Sequence, residues 1–136
     1  AQADISANAV EKCIAATAIH YVNDMEDDYD LIVDGQYADK SNFINLTKHW
    51  GEMKGFALGL QFNPTSPYAA ADKRDELKQI LADMGDAPVL ADGSQNGVAA
   101  TGTAAEAIAA YRAKLVAARD AMGVAYGFDA TDVANW

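Results

Sequence analysis

The stretch Ser41–Phe62, SNFINLTKHWGEMKGFALGLQF, decides the fold class. Phe43, Leu46, Trp50, Met53, Ala57 and Leu60 recur at alternating threes and fours, the spacing of one buried helical stripe. Gly51, Gly55 and Gly59 recur every fourth residue and fall on a second face of the same helix. A mid-helix glycine is about 1 kcal/mol less favourable than alanine. Three of them predict that the bare face is used, for close approach by a ligand or by an alanine-rich helix at either end of the chain. Beside that face stand His49 and Glu52, three residues apart and therefore on one side of the helix.

Toward the N-terminus, Ser6 is the expected N-cap of a long first helix. Val10, Ile14, Ala18, Tyr21, Met25, Tyr29 and Ile32 keep a helical rhythm straight through the acidic run Asp24–Asp30, so that run reads as the solvated face of one helix. Asp34-Gly35 is expected to end it, and Asp39 or Ser41 to cap the glycine-rich helix.

Toward the C-terminus, Asn63-Pro64 should stop that second helix, and Ser66-Pro67 reads as an N-cap and first-turn proline. A short third helix is expected around Ala70–Met84, with Leu77, Ile80, Leu81 and Met84 buried and Gly85 closing it. Asp86–Gly102 is irregular, with Val89 and Leu90 tucked in. Thr103-Ala104-Ala105-Glu106 is a capping box opening the last long helix, whose stripe is Ile108, Tyr111, Leu115, Ala118 and Met122. Gly123 or Gly127 ends it, and the aromatic tail Phe128–Trp136 should pack back on the body. The whole, residues 1–136, reads as one all-α domain, an antiparallel bundle of four main helices.

Composition narrows function mainly by exclusion. Ten basic and twenty acidic residues leave a net charge of −10, which repels phosphate backbones and anionic lipid. Nucleic acid is therefore not an expected partner. No run approaches the ~20 apolar residues of a membrane span. Cys13 is the only cysteine, so neither an internal disulfide nor a thiolate zinc site is expected, and its alanine-rich surroundings suggest a small buried hydrophobe. The chain reads either as a mature protein or as a piece of a longer one.

Helical imidazole–carboxylate pairs three apart are a common way for bundles to hold metal. His49 and Glu52 need a further ligand, and His20 and Asp24 on the first helix are the expected source, with Asp28 behind them. The competing reading is a half-buried His49 that donates to Glu52 or to a backbone carbonyl. Asp92-Gly93-Ser94-Gln95-Asn96-Gly97 matches the first half of an EF-hand loop, but Thr103 stands where the bidentate glutamate belongs. A turn-rich loop is the better reading. There is no H-E-x-x-H and no serine in a nucleophile-elbow context, so catalysis has little support.

The segment HWGEMKGFALGLQFNPTSP, a short helix ending DMGDAPVL and a last helix ending AYGF together resemble a bacterial cell-envelope family of unassigned function related to the imelysins. His49 and Glu52 match the H-x-x-E part of the imelysin motif, with Thr47 where that motif has glycine. The resemblance implies one half of a two-bundle α-helical protein, in the periplasm, on the outer membrane or outside the cell. It further implies a metal ion (iron or zinc) or haem held at those residues, and a link to iron acquisition. Three functions follow in order. The first is a non-catalytic metal- or haem-associated binding domain. The second is an assembly module that packs against other envelope proteins or copies of itself, and the third is a metallopeptidase.

Overall fold

α1 runs from Gln2 to Val33, and it is the element on which the rest is laid. α2 (Lys40–Gly59), α4 (Ala104–Tyr126) and α5 (Ala130–Asn135) all pack on it, while α3 (Ala71–Asp83) leans on α4 and touches α2. The computed structural model describes residues 2–33 and 39–136. Among them the protein is an all-α helical bundle with no β-strand.

The helix rhythm explains most of the core. Ala18, Met25, Tyr29 and Ile32 of α1 are buried against Leu46, Met53 and Ala57 of α2, and Ile108, Tyr111, Leu115, Ala118 and Met122 of α4 close the other side. The acidic run does not break α1, because Met25 and Tyr29 within it are anchored at full burial. The expected end at Asp34-Gly35 lies outside the described residues.

Several boundaries differ from expectation. Ser6 is not an N-cap: its hydroxyl bonds back to the Gln2 carbonyl at 3.2 Å, four residues earlier, inside a helix that has already begun. Val10 is 61% exposed and Cys13 is exposed, because both fall on the outward side of α1. α2 is capped by Asp39, whose carboxylate accepts from the Ser41 amide, and it stops at Gly59 rather than at Asn63-Pro64. Beyond it, Asn63 and Ser66 build tight turns, the Ser66 amide bonding to the Asn63 carbonyl. Ser66 is therefore a buried turn residue, and the N-cap of α3 is Ala70, without a side-chain bond.

The glycine face is the largest correction. An added Cβ at Gly51 or Gly55 would meet nothing within 4 Å, and only Gly59 is approached, by Ile14 Cγ2 at 3.5 Å. The apolar stripe of α2 already occupies its contact with α1, and among the described residues nothing lies over Gly51 and Gly55.

Polar side chains fix what apolar packing leaves loose. Three of them close the C-terminal end of α3, where helical carbonyls lack partners. Lys54 Nζ donates to Leu81 O at 2.5 Å and Gly85 O at 2.7 Å, Trp50 Nε1 to Met84 O at 3.0 Å, and Tyr111 OH to Met84 O at 2.7 Å. The tail packs back as the aromatic pattern predicts. The Phe128 and Trp136 rings meet edge to face at 4.9 Å, and Asn23 Nδ2 donates to Val133 O and Trp136 O.

Candidate functional site

The acidic run supplies the site, and it does so by splitting. Glu26 and Asp30, four apart, turn toward α4, where Arg112 Nε meets Glu26 at 2.9 Å and its Nη1 meets Asp30 at 2.8 Å. Asp24 and Asp28, also four apart, turn toward α2 and meet His49. A stretch expected to be a solvated face is thus largely consumed in contacts with two neighbouring helices.

His49 Nδ1 lies 2.8 Å from Asp28 Oδ2, and the Asp28 side chain is only 7% exposed. An ionised Asp28 can only accept, so Nδ1 is the nitrogen that donates to it, and Nε2 is turned to the opposite side of the ring. Burial pushes the Asp28 carboxyl above its ordinary range, and the bond from His49 pulls it part of the way back. The Nε2 atom faces Asp24 Oδ2 at 3.8 Å, and His20 Nε2 faces the same oxygen at 3.4 Å. Asp24 therefore stands between two imidazoles contributed by two helices.

Glu52 takes a different direction. Its Oε2 is buried with no hydrogen-bond partner, and Lys48 Nζ stands 3.8 Å away. It neighbours Tyr21, whose hydroxyl is held above its ordinary pKa by loss of water first and by a hydrogen bond with Glu52 second. The Tyr21 ring stacks on His49 at 5.9 Å and on Phe56 at 5.9 Å, which places an aromatic wall along the cluster. Of the four expected ligands, the structure gathers His20, Asp24 and His49 about one carboxylate oxygen. His49 Nδ1 is bonded to Asp28 rather than to Glu52 or a backbone carbonyl.

As a metal centre the arrangement is open. Among the described residues no group of three or more His, Cys, Asp or Glu stands ready to hold an ion. In a tetrahedral site with bonds near 2.0–2.1 Å, neighbouring ligand atoms are about 3.3 Å apart. The His20–Asp24 and His49–Asp24 separations of 3.4 Å and 3.8 Å are close to that value.

A second buried carboxylate was not legible in the sequence. Glu11 is 4% exposed and accepts from Ser66 Oγ at 2.5 Å, from Tyr126 OH at 2.5 Å and from Asn63 Nδ2. These partners are more than fifty residues away along the chain, so no local pattern announces them. Burial raises the Tyr126 pKa, and the bond to Glu11 raises it further. The half EF-hand motif is spent on its own turn: Asp92 Oδ1 accepts from Ser94 N at 2.9 Å and Ser94 Oγ at 2.6 Å.

No family model, curated protein or solved structure matches this chain. Among the described residues no helix is long and apolar enough to cross a membrane.

Proposed function

We propose that this protein is a non-catalytic binding domain that holds a divalent metal ion at the α1–α2 contact. His20, Asp24 and His49 are the ligands, and Asp28 is the group that orients His49. The observation that carries the reading is the His49 Nδ1–Asp28 bond, which leaves Nε2 turned toward Asp24. A carboxylate behind a ligating imidazole fixes its tautomer and raises its basicity, a recurrent arrangement around bound metals. Two imidazoles and a carboxylate suit zinc or iron(II) better than calcium or magnesium. Glu52, whose Oε2 makes no hydrogen bond and has Lys48 Nζ 3.8 Å away, is a further carboxylate on the same helix as His49.

The wider setting is part of the same proposal and rests on the imelysin resemblance: a cell-envelope location, a link to iron or haem acquisition, and correspondence to one bundle half. The four longer helices are read as an antiparallel bundle, supported by the ring of neighbours α1–α2–α3–α4 that closes back on α1.

Calorimetric titration of the metal-stripped protein with Zn²⁺, Fe²⁺ and Mn²⁺ tests it. His49→Ala and His20→Ala should weaken binding severely, and Asp28→Asn by about 10- to 100-fold. Equal affinity in wild type, His49→Ala and His20→Ala would dispose of the site.

A further inference from the structure

Far from the histidine cluster, the beginning of α1 and the chain just past α2 enclose an apolar groove of about 660 Å³. Ala7, Val10, Ile14, Gly59, Phe62 and Pro64 line it. Val10 is 61% exposed and Phe62 77% exposed, the latter being among the most exposed large hydrophobic side chains of the protein. Along the same edge, every residue of α1 from Gln2 to Val10 is exposed, and the Asn8 side chain is tied to the body by bonds from Asn63 and Thr65. The side chains of this stretch are mostly apolar or small, with Gln2 and Asn8 polar and Asp4 the only charged one.

We propose that this face is where two copies of the chain associate about a two-fold axis, the Phe62 ring of each seated in the groove of the other. A two-fold contact needs a surface that complements itself, so that what protrudes from one copy fits a recess on the same patch of its partner. Phe62 and the groove beside it are such a protrusion and recess.

Charge favours the same occupant. A molecule with net charge −10 resists self-association everywhere except where its carboxylates are absent. The only charged residue lining the groove is Glu11, which is buried and held by Ser66, Tyr126 and Asn63. A basic partner would find no exposed carboxylate in the groove to meet it. A stable contact must remove about 1,000 Å² or more in total. The groove alone falls short of that, so the dimer would also have to cover the exposed first turns of α1 beside it. This association is independent of the metal reading, since none of its residues belongs to the histidine cluster.

Sedimentation velocity on the whole chain, from micromolar to near-millimolar protein at low and high salt, is the test. A monomer–dimer equilibrium should appear and tighten with salt, as repulsion between the acidic bodies is screened. Phe62→Ser and Val10→Ser should each weaken it about tenfold or more. Val124→Ser, which removes an 82% exposed side chain on α4, should leave it unchanged. Circular dichroism checks that each variant keeps its helix content. Geometry is tested separately by mixing Val10→Cys with Phe62→Cys, both in a Cys13→Ser background. The mixture should form a disulfide between the two variants faster than either does alone. A monomer at every concentration, a dimer indifferent to Phe62→Ser, or no preferential cross-link would overturn the proposal.

Discussion

Replacing Gly55 by alanine should make this protein more stable. The backbone at Gly55 is mid-helix in α2, and an added Cβ meets no atom within 4 Å. The substitution therefore adds no clash and no cavity, and its effect is the intrinsic helix preference. Gly→Ala in an open helix interior is worth about 0.5–1 kcal/mol, partly from lowering the entropy of the unfolded chain. With an unfolding entropy of about 2.1 cal/mol/K per residue, the 136 residues give roughly 0.3 kcal/mol/K. A gain of ~0.8 kcal/mol then raises Tm by about 3 °C. Gly51→Ala should behave alike, since its surroundings are equally empty. Gly123 on α4 is the built-in contrast: a Cβ there would stand 2.9 Å from Val133 Cγ2 and 3.3 Å from Cγ1. Because α5 is fastened by Asn23, Val133 yields poorly, and Gly123→Ala should cost about 1–2 kcal/mol through overpacking. Thermal and urea denaturation followed by circular dichroism measure all three. A drop in Tm for Gly55→Ala would refute the reasoning, because it would require a contact at a position that has none within 4 Å.

Two further outcomes are expected. Lys54→Met keeps the apolar stem but removes both bonds to the α3 carbonyls, and should destabilise by roughly 1.5–3 kcal/mol, the range for hydrogen bonds to a charged group; unchanged urea unfolding would show that the end of α3 needs no cation. The Glu106 carboxyl is held below its ordinary pKa by the Thr103 amide and hydroxyl, so its contribution is complete above the unfolded value of 4.5 and is lost as pH falls through the lower folded value. Glu106→Gln should therefore flatten the acid limb of the stability curve, and an identical limb in both proteins would contradict the capping box as the cause.

What was legible in the sequence was whatever repeats along one helix. The α4 stripe and its capping box are local, and all five stripe residues are buried as the spacing predicts. The α1 rhythm carried through the acidic run for the same reason. The glycine face was misread because a period shows which residues share a side, not whether a neighbour exists there. Ser66-Pro67 carries the signature of a helix start, yet the demand of buried Glu11 for donors claimed the serine. At the candidate site, the sequence brought His49 to the side of α1 that holds His20 and Asp24. The partner that orients its ring, Asp28, had been assigned only a place behind them, and Glu52 went to Tyr21 and Lys48 because a three-residue spacing does not fix rotamers.

The polar closure at the end of α3 has a mechanical consequence. Apolar surfaces slide, losing free energy gradually as they part, whereas hydrogen bonds weaken steeply once distance and angle leave a narrow range. α3 touches its neighbours far less than α1 does, and Lys54, Trp50 and Tyr111 reach it from two different helices. The element is therefore held like a latch bolt, seated or released with little between. Its release would strip Leu77 and Ile80 of their cover together while α1, α2 and α4 stay packed.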